Sequence, residues 1–225
     1  MTKAKESAAI RAAAMIESGM VVGLGTGSTA AYLVEALGRR VRDEGLSIRG
    51  VPTSTATRDQ ASKAGIPLVG LDDVRGIDLT VDGADEIGPG LALLKGGGGA
   101  LLWEKIVAAA SRRMIVIADA GKVVPKLGKF PLPVEVMPLG WTVVSRKLES
   151  LGGPASLRVR GDGTTWVTDG GHWILDARFG TIDDPRALAS TLDGTVGVVE
   201  HGLFVGMASL ALIGNDDGSV EEITA

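Results

Sequence analysis

Three short runs concentrate the residues able to do chemistry. The first, Gly23-Leu24-Gly25-Thr26-Gly27-Ser28-Thr29, stands where a buried apolar run hands over to a helical pattern. The free N–H groups and dipole of a helix N-terminus attract an anion, and glycines let it come close. A phosphate suits such a turn, and so does a plain strand-to-helix connection capped by Ser28. Neither nucleotide fingerprint is complete: Ser28 occupies the place of the third glycine in G-x-G-x-x-G, and no Gly-Lys-Ser/Thr follows. The second run, Asp78-Leu79-Thr80-Val81-Asp82-Gly83-Ala84-Asp85-Glu86, releases carboxylates at the end of a buried strand, where open α/β sheets bind ligands. Those carboxylates can accept bonds from sugar hydroxyls, act as acid or base, or hold a metal, and an Asp-rich turn has the same spacing. The third run is Lys95-Gly96-Gly97-Gly98-Gly99-Ala100-Leu101-Leu102-Trp103-Glu104-Lys105. Four ordered glycines cost on the order of 1 kcal/mol each against alanine, so something should approach that backbone closely. Lys95 can neutralise an oxyanion or phosphate, and Glu104, early in the next helix, can reach back toward the loop.

These runs need elements to hold them. Lys3 to Glu17 has helical spacing of alanines with Ile10 and Met15, stopped by Gly19, and Met20 to Leu24 reads as a buried strand. A helix from Ser28 to about Arg42 puts Tyr32, Leu33 and Leu37 on one face. Strands at 47–51, 78–81 and 114–118 alternate with helices at 54–63 and 99–111, which implies a parallel sheet covered on both faces. Near Pro125 the pattern changes, and Phe130-Pro131-Leu132-Pro133 reads as punctuation. Beyond it a helix at 142–151, strands at 156–160, 164–168 and 173–176, and a helix at 185–192 suggest an α+β unit. The apolar stretch Leu203 to Gly214 is expected to return to the first sheet. The division expected is 1–126 with 203–225 as one domain and 127–202 as a smaller one.

Composition narrows the function classes. The chain of 225 residues is 45% hydrophobic and 22% charged, which suits a folded globular protein. A net charge of -4 lacks the basic footprint of nucleic-acid binding. With no cysteine and only His172 and His201, Cys/His zinc sites are excluded. No apolar run approaches the length of a membrane span, and the N-terminal one is broken by Glu6, Arg11 and Glu17. A cytoplasmic setting, with neither membrane nor nucleic acid as partner, is the expectation. His201, at the edge of an apolar strand, reads as a hydrogen-bonded structural residue, and the four tryptophans as core or interface aromatics.

Taken in order, these segments resemble the type A ribose-5-phosphate isomerases. The resemblance runs through Gly23 to Thr29, Pro52-Thr53-Ser54, Asp78 to Glu86, Lys95 to Glu104, Ile117-Ala118-Asp119 with Lys122, Phe130 to Val136, and Val198 to Phe204. V-D-G-A-D-E followed by L-L-K-G-G-G-G-A-L-L-x-E-K is its most specific part. It implies interconversion of ribose 5-phosphate and ribulose 5-phosphate in the pentose phosphate pathway, with no metal or organic cofactor. It implies Glu104 as catalytic base, with Asp82, Asp85 and Lys95 catalytic beside it. Thr26, Gly27, Ser28, Thr29, Asp82, Gly83, Ala84, Asp85, Lys95, Gly96, Gly97, Gly98 and Lys122 bind substrate by the same carry-over, with Lys5 near the phosphate. The implied fold is a Rossmann-like, doubly wound, mostly parallel sheet with a smaller α+β, ferredoxin-like domain, and the implied assembly is a homodimer or dimer of dimers. Asp169-Gly170-Gly171-His172 and Phe204-Val205-Gly206-Met207 depart from the family's common form.

Three other readings predict features this sequence lacks. An amino-sugar phosphate deaminase or phosphogluconolactonase would rely on histidine, and neither His172 nor His201 falls in the three runs. A sugar-phosphate sensor would carry a DNA-binding module, and the first glycine turn begins at residue 23. A nicotinamide oxidoreductase would carry the dinucleotide fingerprint, which fails at Ser28.

Overall fold

The computed structural model describes residues 2–224. In chain order the elements are α1 (Thr2–Ala13), β1 (Val21–Leu24), α2 (Ser28–Glu44), β2 (Arg49–Pro52), α3 (Thr55–Lys63), β3 (Leu79–Asp82), β4 (Glu86–Ile87), β5 (Leu93–Leu94), α4 (Leu101–Ala109) and β6 (Met114–Asp119). There follow β7 (Leu132–Val136), α5 (Trp141–Ser150), β8 (Ala155–Leu157), β9 (Trp173–Ala177), α6 (Pro185–Asp193), β10 (Val198–His201), β11 (Leu203–Phe204), β12 (Ala208–Gly214) and β13 (Val220–Thr224). They form two compact units, Met1–Ala84 with Trp103–Val123 and Gly206–Ala225, and Asp85–Leu102 with Val124–Val205. Asp85–Leu102 thus groups with the second unit, which the punctuation near Pro125 does not reveal.

The first unit is built on a six-stranded sheet in the order β13-β12-β6-β3-β1-β2, parallel except for β13. Strands buried on both faces read as continuous apolar runs, which is why Met114–Ala118 was legible. In α1 the buried stripe is Ala4, Ala8, Ala9, Ala12 and Ala13, whereas Ile10 is half exposed. The small side chains let the helix lie close, so Ala4 sits where a side chain on Gly214 would be. In α2, Leu33 and Leu37 are fully buried and Tyr32 packs beside them.

The second unit follows the order β-α-β-β-α-β in β7, α5, β8, β9, α6 and β10, with an antiparallel sheet β10-β7-β9-β8. This is the ferredoxin-like arrangement. Pro133, read as punctuation, lies inside the central strand β7, opposite Asp176. Residues 164–168 make only isolated bridges, Val159 to Thr165 and Val167 to Trp173, rather than the expected strand. The stretch 203–214 divides: β11 joins β5 and β4 in a small antiparallel sheet, and β12 inserts between β6 and β13. Gly206, at a φ of 72°, stands at the break.

Helix α6 begins with Pro185 at its first position, and the Asp184 carboxylate accepts the Ala187 N–H at 2.9 Å. Asp184→Ala should cost about 1 kcal/mol, the usual worth of an N-cap, read as a lower urea midpoint with an unchanged slope.

Candidate active site

In the first unit the chain leaves β1 through α2 toward β2 on one side, while β3 lies on the other side of β1 and is followed in the sheet by β6. Strand order therefore reverses between β1 and β3, and ligands of open α/β sheets bind beyond the C-terminal ends of strands at such a point. The glycine turn after β1 and Asp82 at the end of β3 occupy it. Asp82 is completely buried, and its Oδ1 accepts the N–H groups of Thr26 at 3.0 Å and Gly83 at 2.7 Å. Those bonds hold the carboxylate against the turn. A side-chain carbon on Gly25 would lie 2.2 Å from the same oxygen, so close approach there serves Asp82 itself. Gly23 serves packing, because its missing side chain would overlap Thr80 and Val107.

Ser28 is not the cap expected of it. The N-cap of α2 is Gly27, at a φ of 107°, with no side-chain cap bond, and Ser28 already lies inside the helix. Its hydroxyl instead accepts a bond from the Lys5 ammonium at 2.9 Å. A cation thus stands beside the uncapped helix N-terminus, both features that favour an anion. Lys5 and Ser28 also line a cavity of about 410 Å³ with Thr2, Ala31, Tyr32 and Glu35. The Thr26 hydroxyl lies within 2.7 Å of Thr53 Oγ1, 2.8 Å of Ser54 Oγ and 3.1 Å of Thr57 Oγ1. Thr29 is buried. The Pro52-Thr53-Ser54 run therefore ties β2 and α3 to the turn rather than holding a ribose. Glu104 lies in the first turn of α4 and is 5% exposed. Lys122 closes the short 3-10 turn after β6, and Asp119 caps that turn by accepting the Gly121 N–H at 3.1 Å.

The second unit holds the glycine loop. Lys95 is 2% exposed, its N–H donates to Gly202 C=O at 2.8 Å, and its ammonium lies 5.4 Å from the centre of the Phe204 ring. Asp85 Oδ2 accepts the Gly97 N–H at 2.7 Å, which ties the carboxylate run to the loop twelve residues on. A side chain on Gly97 would meet this carboxylate, and one on Gly99 would meet the Trp166 indole. The close approach that four glycines imply is thus made in part by the protein's own groups.

Other buried acids prove to be structural. Glu86 accepts the N–H groups of Gly128 at 2.7 Å and Phe130 at 2.6 Å, so it pins a loop. Glu135 Oε1 accepts the Thr168 hydroxyl at 2.8 Å and lies 2.9 Å from His172 Nδ1, which fastens the unusual 169–172 turn to β7. His201 accepts the Leu203 N–H at Nδ1, leaving Nε2 to donate to Asp193 at 3.0 Å. Asp78 holds the start of β1 by accepting the Val21 N–H at 2.9 Å. No sequence signal marks these pairs in advance, because each joins residues far apart in the chain or facing across a turn. A cavity of about 820 Å³ lined by Val51, Arg58, Leu68, Trp103 and Ile106 among others contains none of the residues expected at the site. Among the described residues no helix is long and apolar enough to cross a membrane.

Comparison with known proteins places the chain in a family. Residues 49–218, well over half the chain, match the family model of ribose 5-phosphate isomerase A (phosphoriboisomerase A). The ribose-5-phosphate isomerase A of Bradyrhizobium diazoefficiens is 54% identical over 97% of this chain and 94% of its own. Among solved structures, ribose 5-phosphate isomerase A from Methanocaldococcus jannaschii superposes with a TM-score of 0.94 at 41% identity, over 98% of both chains. A D-ribose-5-phosphate isomerase in complex with phospho-erythronic acid superposes at 0.95 with 39% identity, over 98% of this chain and 97% of that one. With a family model matched over most of its length and relatives this similar across nearly all of it, the chain belongs to the ribose 5-phosphate isomerase A family.

Proposed function

We propose that this protein interconverts D-ribose 5-phosphate and D-ribulose 5-phosphate, a reaction of the non-oxidative pentose phosphate pathway that its family performs. The observation that carries the reading is the family match, and the sequence holds Asp82, Glu104 and the Lys95–Gly98 run that the resemblance singles out. A relative's complex with phospho-erythronic acid, a phosphorylated sugar acid, supports a sugar phosphate as ligand.

The reaction moves one proton between adjacent carbons and one between their oxygens, so acid–base groups suffice and no step calls for a metal or organic cofactor. Glu104 removes the C2 proton of the open-chain aldose, leaving a cis-enediolate, and delivers it to C1 as the ketose forms. O1 gains a proton and O2 loses one in the same exchange. The Lys95 ammonium and the N–H groups of the glycine loop stabilise the charge on the oxygens. Asp82 serves the opening of the furanose ring, and Asp85 holds hydroxyls. The N-terminus of α2, with Gly27, Ser28 and Thr29, and the cations Lys5 and Lys122 are assigned to the phosphate end of the substrate, with Thr26, Gly83 and Ala84 shaping the turn between. We assign the enzyme to the cytoplasm on its cysteine-free composition and to a homodimer on the family resemblance, which light scattering after gel filtration tests directly.

Proton NMR of the protein with ribose 5-phosphate in D₂O containing EDTA is the test. Ribulose 5-phosphate carrying deuterium at C1 is expected, because a carboxylate that holds the proton between two carbons exchanges it with solvent. Ketose without deuterium would leave the isomerase standing and point to shielded proton return or hydride transfer, and no ketose from folded protein would overturn the activity.

A further inference from the structure

We propose that Arg158 is a positioning residue for the reaction: it selects the orientation of the peptide joining Gly97 to Gly98. The inference rests on the assignment of the Lys95–Gly98 loop to substrate binding made above.

Residues Gly96 to Gly99 form a four-residue turn, in which the Gly99 N–H donates to Gly96 C=O at 3.0 Å. Turns of types I and II share their end points and differ by a flip of the central peptide. Side chains ordinarily choose between the two, and glycine at both central positions removes that choice. Here the central peptide joins Gly97 and Gly98, both exposed at the tip of the loop. The turn's own hydrogen bond is compatible with either orientation.

Arg158 supplies the missing selection. Its Nη1 donates to Gly96 C=O at 2.8 Å and to Gly97 C=O at 3.2 Å. The Gly97 carbonyl therefore faces the guanidinium. No peptide bond in the described chain is cis, and in a planar trans peptide the next N–H points the opposite way. Gly98 N–H is thus aimed away from Arg158, toward the open side of the loop, where a donor aimed in advance can meet a developing oxyanion without reorganisation. On the neighbouring peptide, Gly96 C=O faces Arg158 while Gly97 N–H is taken by Asp85 at 2.7 Å. The Gly96–Gly97 peptide is thus held from both sides, and the Gly97–Gly98 peptide at its carbonyl.

The guanidinium is itself fixed. Asp176, on β9, accepts Nε at 2.9 Å and Nη2 at 2.5 Å, a two-pronged pairing, and the Arg158 side chain is only 12% exposed. Backbone bonds from Arg158 N–H to Ile174 C=O and from Trp166 N–H to Arg158 C=O seat the residue in a hairpin that also brings Trp166 against Gly99. At the hairpin's tip Asp162 accepts the Thr164 hydroxyl at 2.6 Å and its N–H at 2.9 Å, and these bonds, the hydroxyl's foremost, hold its carboxyl below the usual carboxylate range. A lysine at 158 offers a single charged point, which cannot hold both Asp176 oxygens and reach two carbonyls.

The test is steady-state kinetics of Arg158→Ala, Arg158→Lys and Asp176→Asn with ribose 5-phosphate, beside Lys95→Gln, with circular dichroism confirming the fold. Arg158→Ala should lose kcat by about 10- to 100-fold, with KM within about threefold, because a misaimed donor is missed chiefly in the transition state. Arg158→Lys should be nearly as impaired, and Asp176→Asn should fall between it and wild type. Millimolar guanidinium should restore part of the kcat of Arg158→Ala, and methylammonium should not, a difference that a loss of stability would not produce. Should Arg158→Ala fail to fold, Arg158→Lys carries the same comparison. Folded Arg158 variants with kcat within about twofold of wild type, or with the loss confined to KM, overturn the proposal. If Lys95→Gln is inactive while the Arg158 variants are not, the clamp alone fails. If Lys95→Gln is also fully active, the loop's role in catalysis fails with it.

Discussion

Glu104→Gln should lower kcat by about a thousandfold, within the range of roughly 10²–10⁴ that a positioned acid–base group supplies. Glutamine keeps the shape and the hydrogen-bonding reach of the side chain, but its amide cannot take a proton from carbon. The loss should therefore fall on kcat, with KM close to wild type. Stability should move little, because two opposing terms accompany the change. A carboxylate in the first turn of α4 gains about 0.3–1 kcal/mol from the helix dipole, and glutamine forfeits that. Removing a charge from a position only 5% exposed also relieves a desolvation cost. Rapid-quench or coupled assays give kcat, and NMR in D₂O adds a second readout, since the C2 proton of ribose 5-phosphate should no longer wash out into solvent. A folded Glu104→Gln retaining more than about a tenth of wild-type kcat would assign the base elsewhere.

Gly202→Ala should damage both stability and catalysis. The added methyl would lie 2.1 Å from the Lys95 carbonyl oxygen and 3.0 Å from Pro133 Cδ. Neither neighbour can swing aside: Lys95 N–H donates to Gly202 C=O, and Gly202 N–H donates to Pro133 C=O, both at 2.8 Å. Relief requires the segment carrying Lys95, just after β5, to part from residue 202. Overpacking of this kind costs about 1–3 kcal/mol, and the strained bonds add to it. Since the ammonium rides on the displaced backbone, kcat should fall as well. Gly161→Ala is the matching control, because a side chain there meets nothing within 4 Å, and its stability should stay within about 0.5 kcal/mol of wild type. Urea titration of the two variants separates the outcomes, and equal midpoints would refute the contact.

Legibility of the fold followed the range over which each signal acts. The alternation of apolar runs with helical spacing is local, so β1, α2, β3 and β6 were recoverable with shifts of a residue or two. Strands β4, β5 and β11 are two residues each, too short for any periodicity to register. Pro133 was a misleading sign, since proline inside a strand usually marks an edge, whereas β7 is central.

For the candidate site, residue types and spacing marked the places: a glycine turn after β1 that suits either an anion or a plain connection, carboxylates released at the end of β3, a glycine loop behind Lys95 and an acid early in α4. Those features are written within stretches of a dozen residues, where backbone freedom and strand ends are local properties. The tertiary structure decided which of them point outward and which are spent on the fold. It gave the Thr26 hydroxyl to Thr53, Ser54 and Thr57, turned Glu86 and Glu135 into structural ties, and put Gly27 rather than Ser28 at the cap. It also brought Arg158 to Gly96 across 62 positions of sequence. A hydrogen bond between distant residues depends on which strands the topology makes neighbours, and that order arises only when the whole chain buries its apolar surface together.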